Sequence, residues 1–308
     1  MELSVIIPVY NEENNVAILH SELINVLNSL NKKFEIIFVD DGSTDKTLEN
    51  LSRLKKVKII KLRRNFGQTA ALLAGINNAN GKVIITLDGD LQNDPKDIPK
   101  LLEKLDKGYD VVSGWRKNRN DKFSKKFFSF VANRLRRVLI NERIHDSGCS
   151  LKAYKKECFN DIDLYGEMHR YIPALLGWKG FRIAEVEVNH RYRKYGKTKY
   201  GVSRVLKGFL DLLNILFWRK FSNRPLHLFG GFGLLMSFVG GLFLSVLVVL
   251  RLFGKISLGQ SQLPLLAVLL IVLGVQFFVS GLLADIAVKN YQNTRNNKSS
   301  NIERIIEK

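Results

Sequence analysis

The chain has 308 residues, enough for one sizeable core and a smaller appendage. Its 48 Lys and Arg against 29 Asp and Glu give a net charge of +19, which calls for an anionic partner: nucleic acid, an anionic membrane surface or phosphorylated substrates. The two cysteines, Cys149 and Cys158, stand in no metal-ligand spacing and are too few for a disulfide framework, which fits a reducing compartment.

No cleavable signal peptide is expected, because Met1 to Val9 reads straight into a buried strand, Ser4–Val9. Helical periodicity follows from Asn14 to Leu30. A second strand, Glu35–Val39, ends at Asp40-Asp41-Gly42-Ser43. Thr44–Leu54 reads as a helix, Val57–Leu62 as a third strand and Gln68–Asn78 as another helix. Val83–Leu87 is a fourth strand running into Asp88, and Val111–Ser113 a fifth. Strands alternating with helices predict an α/β fold with a mostly parallel sheet covered on both faces. Ligands in such sheets bind beyond the carboxyl ends of the strands, where Asp40, Asp41, Asp88 and Asp90 all fall.

The second half changes character. Phe123–Ile140 and Ser203–Phe221 mix aromatic and basic residues at helical spacing, the pattern of helices lying in a membrane interface. Leu226–Leu250 and Leu263–Leu283 are uncharged apolar runs, each long enough for a hydrocarbon core of about 30 Å at about 1.5 Å per residue. Arg219, Lys220 and Arg224 precede the first run, and Lys289, Arg295 and Lys298 follow the second. The positive-inside bias then predicts a helical hairpin in the cell membrane with both ends cytoplasmic, although Arg251 and Lys255 in the short connection run against it. The expected division is a catalytic region 1–200, a juxtamembrane amphipathic helix 201–225, the hairpin 226–288 and a polar cytoplasmic tail 289–308, disordered in part from Gln292. Gly230, Gly231, Gly233, Gly240 and Gly241 would permit close helix packing, including in a homo-oligomer.

Asp88-Gly89-Asp90-Leu91-Gln92 carries the clearest chemistry. Residues two apart on extended chain project to one side, so Asp88, Asp90 and Gln92 can converge on one cation. Hard oxygen ligands select Mg²⁺ or Mn²⁺, and an ion held by so few carboxylates completes its shell with substrate phosphates. Gly89 is expected to clear space for a diphosphate. A lone Asp-x-Asp is more often a solvated turn, but its place after a buried strand sets this one apart.

Four segments occur in order: Val5-Ile6-Ile7-Pro8-Val9-Tyr10-Asn11-Glu12, Asp40-Asp41-Gly42-Ser43-Thr44-Asp45, Asn65-Phe66-Gly67-Gln68 and Asp88-Gly89-Asp90-Leu91-Gln92. Together the chain resembles the GT-A family 2 glycosyltransferases. Ser147-Gly148-Cys149-Ser150-Leu151-Lys152 and the run Arg191–Tyr200 narrow the resemblance to the polyprenyl-phosphate branch, the dolichol-phosphate mannose synthase and bactoprenol glucosyltransferase type. The resemblance spans roughly Met1 to Tyr200, and the two apolar runs look most like the bactoprenol type.

It implies a GT-A nucleotide-diphospho-sugar transferase fold, with Pro8, Tyr10, Glu12, Val39, Asp40 and Asp41 around the nucleoside and Asp88, Gly89 and Asp90 completing the donor site. Asp41 has a second reading, a turn or helix cap before Thr44. Asp88, Asp90 and Gln92 match the family's metal positions. Arg116, Arg193 and Lys199 match phosphate-gripping positions and, with Asp90, form the implied catalytic set. Arg134, Arg136 and Arg137 either draw in the lipid phosphate or form a solvated basic helix face. The implied reaction is inverting transfer of a hexose from a nucleotide sugar, UDP-glucose first, with GDP-mannose and UDP-N-acetylglucosamine behind it, to polyprenyl phosphate. An ionised phosphate needs no strong general base, whereas a sugar hydroxyl acceptor would want Asp146 or Glu167 in range.

Rival classes lack their marks. A processive synthase would carry Gln-x-x-Arg-Trp after the catalytic half, and a nucleic-acid binder a zinc-ligand spacing or a ribonucleoprotein aromatic motif. An inactive membrane scaffold would have no need to keep the acidic set together.

Overall fold

The computed structural model describes residues 1–117, 144–160, 162, 164, 166, 168–192, 224–254 and 261–294. The two expected interface helices lie outside them, as do Arg134, Arg136, Arg137, Glu167, Arg193, Lys199 and the tail from 295. The chain divides into two compact units, Met1–Leu212 and Leu213–Lys308.

In the first unit, β1 (Leu3–Val9) is buried at all seven positions, as an apolar run covered on both faces must be. Helix α1 (Val16–Ser29) packs Val16, Leu19, Leu23 and Leu27 on the core side, the i, i+3/i+4 stripe that the sequence shows. Next come β2 (Phe34–Asp40), α2 (Thr47–Ser52), β3 (Val57–Lys61), α3 (Gln68–Asn77) and β4 (Val83–Thr86). Helix α2 starts three residues later than expected because the residues before it are tied elsewhere. The Thr44 amide donates to Asn11 Oδ1 at 2.8 Å, and Asp45 accepts from the Thr47 and Glu13 amides at 2.9 and 3.3 Å.

Four described elements were not legible in the sequence. They are α4 (Ile98–Asp106), β6 (Lys152–Lys155), α5 (Ile172–Trp178) and β7 (Ile183–Glu187); β5 runs Val111–Trp115 between α4 and β6. The sheet order is β3-β2-β1-β4-β6-β5-β7. Only β6 runs against its neighbours among the described strands; the other pairings are parallel. From β1 the chain winds outward through β2 and β3, then returns to place β4 on the other side of β1. That reversal opens a crevice at the carboxyl ends of β1 and β4, where α/β sheets bind their ligands.

The second unit contains α6 (Pro225–Leu252) and α7 (Leu263–Thr294), both long and apolar enough to cross a membrane, with mean hydropathy of 2.5 and 2.6. Helix α7 continues past Gln292, where a disordered tail was expected. The apolar windows are only 17% buried, so most of their side chains face outward, unlike those of a soluble core helix. The two helices meet through small residues. A Cβ on Gly233 would fall 2.5 Å from the Gly274 carbonyl oxygen, and one on Gly240 2.9 Å from the Ala267 carbonyl oxygen. Gly231 and Gly241 have nothing within 4 Å and take no part in this contact.

Candidate active site

A cavity of about 310 Å³ opens beyond the end of β4. It gathers Asp88, Asp90, Gln92 and Arg116 from the expected set and adds Gln68, Ser150, Lys152, His169 and Arg170. Pro8, Tyr10, Glu12, Val39, Asp40 and Asp41 do not line it. Pro8, Tyr10 and Glu12 sit in and just after β1, and Val39, Asp40 and Asp41 at the end of β2, its neighbour on the side away from β4.

The loops after β1 and β2 are fastened to one another by side chains. Ser43 Oγ accepts from the Asn11 amide at 2.9 Å and Thr47 Oγ1 from the Glu12 amide at 2.8 Å. Asp40 is wholly buried; its Oδ1 accepts from the Ser43 amide at 3.0 Å, and its Oδ2 has no partner. A buried carboxylate oxygen left open is costly in a finished core and suits a donor N–H or O–H from a ligand. Asp41 makes neither the turn nor the cap. Its two oxygens accept from the Phe66 and Gly67 amides at 2.8 and 2.9 Å, fixing the Asn65-Phe66-Gly67 loop in front of α3.

The Asp88–Gln92 turn follows β4 directly. Gln68, at the start of α3, donates its side-chain N–H to Asp88 Oδ1 at 2.6 Å. Burial, and then the charge of Asp90, push the Asp88 carboxyl up to about 6. Leu91 has φ +64°, a left-handed conformation rare for a branched apolar residue, and it lies between the two ligand-type residues Asp90 and Gln92. Gly89 has a different reason from the one expected. A Cβ there would lie 2.6 Å from Val9 Cγ1, so its missing side chain is used for packing on β1 rather than for ligand space.

Two carboxylates close enough for the charge of Asp90 to raise the proton affinity of Asp88 fit a divalent cation, which would offset their repulsion. Among the described residues no three His, Cys, Asp or Glu side chains converge as a metal centre. The chain's own donors are thus two carboxylates and the Gln92 amide oxygen, a partial shell that suits an ion shared with phosphate oxygens. His190, which the sequence did not single out, lies beside this turn with Nε2 3.5 Å from the Gln92 side-chain nitrogen. The segment is held there by an Asn93–His190 bridge and by the Arg191 amide donating to the Gln92 carbonyl at 2.8 Å. Arg191 itself pairs with Glu22 and Asp94, each at 2.7 Å. Arg191, the first residue of the expected basic run, is thus fixed beside that turn, while Arg193 and Lys199 lie outside the described residues.

Arg116 is clamped by Asp146. Its Nε donates to Asp146 Oδ2 at 2.7 Å and its Nη2 to Oδ1 at 2.9 Å, with both side chains about a tenth exposed. Burial alone would weaken the guanidinium's hold on its proton, but the Asp146 carboxylate outweighs it and the shift is upward. Asp146, a base expected for a hydroxyl acceptor, is thus occupied on both oxygens by a permanent cation. Gly148 leaves room for the pair, since a Cβ there would lie 3.2 Å from Arg116 Nη2.

A family model, Glycosyl transferase family 2, matches residues 4–163. A relative 40% identical over 300 residues is the dodecaprenyl-phosphate galacturonate synthase of Rhizobium johnstonii, covering 94% of this chain and 89% of that protein. Another, 35% identical over 311 residues, is the undecaprenyl-phosphate 4-deoxy-4-formamido-L-arabinose transferase of Proteus mirabilis, covering 99% and 94%. Among solved structures, the glucosyl-3-phosphoglycerate synthase of Mycobacterium tuberculosis with Mn²⁺, uridine diphosphate and phosphoglyceric acid superposes with a TM-score of 0.57 at 18% identity, over 71% of this chain and 78% of that one. That likeness establishes the GT-A-like fold.

Proposed function

Since the chain belongs to glycosyl transferase family 2, we propose that it moves a sugar from a nucleoside diphosphate to the phosphate of a polyprenyl carrier at a membrane. The observation that carries this reading is the facing of Asp88 and Asp90 by Arg116 and Lys152 across one cavity at the sheet's switch point. Two cavity-facing acids suit a shared cation, and the cations opposite suit phosphate. The two relatives act on polyprenyl phosphates, and α6 and α7 would hold the chain where such a lipid lies.

Asp40 and Asp41, with Pro8, Tyr10, Glu12 and Val39 around them, orient the nucleoside, Asp40 Oδ2 taking a donor N–H or O–H. Asp88, Asp90 and Gln92 hold Mg²⁺ or Mn²⁺, which when bound offsets the charge growing on the departing diphosphate. Arg116, Arg193 and Lys199 add cationic hydrogen-bond donors to the same leaving group. A phosphate nucleophile is ionised at neutral pH, with a second pKa of about 6. It needs no protein base, in keeping with Asp146 being locked to Arg116. Attack opposite the leaving group inverts the anomeric carbon. Arg134, Arg136 and Arg137 guide the lipid phosphate, and both chain ends lie on the cytoplasmic side. UDP-glucose is the donor expected from the sequence, while the relatives use galacturonate and 4-deoxy-4-formamido-L-arabinose.

The test is purified protein in detergent with Mn²⁺ or Mg²⁺, polyprenyl phosphate and radiolabelled UDP- and GDP-sugars, counting label in the organic phase. Metal-dependent lipid label is expected, with Asp90→Asn folded and membrane-bound but inactive. Label confined to a water-soluble product would refute the lipid acceptor, and near-normal activity of Asp90→Asn would refute the metal role.

A further inference from the structure

The apolar stretches of α6 and α7, residues 229–250 and 263–284, contain the polar side chains Ser237, Ser245, Gln276 and Ser280. The serines satisfy themselves on backbone carbonyls. Ser237 Oγ donates to Ile271 at 3.5 Å, Ser245 Oγ to Gly241 at 2.9 Å and Ser280 Oγ to Gln276 at 2.8 Å. Gln276 differs from them. Its amide has two N–H donors and an acceptor oxygen, yet it is exposed and makes no side-chain hydrogen bond among the described residues.

Depth makes that exposure costly. Gln276 lies midway along the apolar span Leu263–Val288, about 18–20 Å from either end at about 1.5 Å per residue. A hydrocarbon core is about 30 Å thick, so the amide stands near its middle, out of reach of water and lipid head groups. Helix α6 covers the opposite face of α7. A Cβ on Gly274 would lie 2.6 Å from the Gly233 carbonyl oxygen, and one on Gly281 3.1 Å from the Gly230 nitrogen. Gln276 stands two residues beyond Gly274, about 200° round the helix, and points away from its hairpin partner. Leu269, Val272, Val279 and Leu283 share this outer side, all exposed, at alternating steps of three and four residues, the spacing at which two helices pack side by side. In an apolar span that spacing alone singles out no face; Gln276 does.

Lipid tails offer no hydrogen bond, so the amide needs a polypeptide partner. Two copies of this chain in one membrane share one orientation, and their α7 helices then run parallel with Gln276 at equal depth. A two-fold axis along the membrane normal sets amide against amide, each donating an N–H to the other's Oε1. A foreign helix would need its own polar group at that depth, whereas a second copy already has one.

We infer that the outer face of α7 is a self-association surface, on which a second copy of this chain docks through a parallel α7–α7 contact centred on a hydrogen-bonded Gln276–Gln276 pair. The contact between copies thereby falls on the second span and not on the glycines of the first. The inference rests on the membrane placement in the reading above and is independent of the transfer chemistry.

The test uses the full chain. Gln276→Cys and Val275→Cys, at one depth but about 100° apart, are oxidised in isolated membranes, with the wild-type chain, whose two cysteines are buried, as background. A disulfide-linked dimer is expected from Gln276→Cys at about fivefold or more the yield of Val275→Cys, because the bond forms only between closely facing positions. Dimerisation in lipid vesicles is followed by energy transfer between labelled copies. Gln276→Leu, which leaves the span apolar and so inserts as the wild type does, should weaken it about tenfold or more, and Gln276→Asn, which keeps the amide, by no more than about threefold. Equal yields from the two cysteines would overturn the surface, as would cross-linking of Gln276→Cys to a different protein in place of its own copy. A wild-type chain that stays monomeric in vesicles, or dimerisation unchanged in Gln276→Leu, would overturn it too. Alkaline carbonate washing separates this inference from the reading beneath it. Chain retained in the membrane without a dimer sinks the pairing alone, whereas chain released into the wash sinks the membrane placement and the pairing with it.

Discussion

Replacing Asp146 by Asn tests whether that carboxylate is a structural counter-ion or a base. In the folded chain Asp146 Oδ2 accepts from Arg116 Nε at 2.7 Å and from the Arg116 amide at 3.3 Å, and Oδ1 accepts from Nη2 at 2.9 Å. An amide in the same place turns its NH₂ toward one of those donors whichever way it flips. At least one charge-assisted bond, each about 1.5–3 kcal/mol, is lost, and Arg116 stays buried beside a neutral partner. Breaking a buried pair from one side costs about 3–5 kcal/mol. Because Asn retains one acceptor, a loss of about 2–4 kcal/mol is expected. At roughly 2–4 °C per kcal/mol for a unit of this size, the melting temperature should fall by about 4–16 °C. The assay is thermal unfolding in detergent, run with Arg116→Met, Asp146→Leu and the double variant. The double variant should recover much of either single loss, because no uncompensated charge remains. A melting point within about 1 °C of wild type in Asp146→Asn, with transfer down a hundredfold or more, would refute the counter-ion reasoning and assign Asp146 as a base.

Three further outcomes follow from particular contacts. Gln68→Leu removes the 2.6 Å bond to Asp88, and Mn²⁺ affinity measured by titration should weaken by about 10- to 100-fold; an unchanged affinity would contradict the positioning role of Gln68. His169 has its pKa lowered from 6.5 to about 3, so below pH 6.5 the unfolded chain takes up a proton that the folded one refuses. The stabilisation it brings is therefore full above pH 6.5 and is lost as pH falls toward 3, at no more than about 1.4 kcal/mol per pH unit. Chemical unfolding of His169→Gln should show a shallower pH slope over that window, and an identical slope would refute it. In the hairpin, Gly233→Ala drives a Cβ to 2.5 Å from the Gly274 carbonyl and should lower stability by about 1–3 kcal/mol. Gly231→Ala, whose Cβ meets nothing, should be neutral or stabilising by up to about 1 kcal/mol. Equal effects in detergent unfolding would show that the two helices do not pack as described.

The sequence alone determined what depends on local pattern. Buried parallel strands such as Leu3–Val9 need apolar residues on both faces, so they read as unbroken runs. An amphipathic helix such as Val16–Ser29 shows its stripe, and the Asp-x-Asp at the end of β4 can be placed because ligands collect at strand ends. The two apolar helices are legible for the same reason, since length and lack of charge are local properties. Tertiary structure decided the rest. Lys152–Lys155 (Lys-Ala-Tyr-Lys) has no strand pattern of its own and becomes β6 because β4 and β5 offer their ladders to it from either side. Asp41 has the composition of a cap, yet the amides nearest to it in the fold belong to Phe66 and Gly67, so it holds that loop instead. Asp146 changes from possible base to counter-ion because β5 places Arg116 against it from 30 residues away. Thr69 meets His169 from 100 residues away, and His190 reaches Gln92 from 98. Such contacts form when the chain closes on itself, and the free energy that selects them lies in burial and hydrogen bonding between segments that no local window contains together.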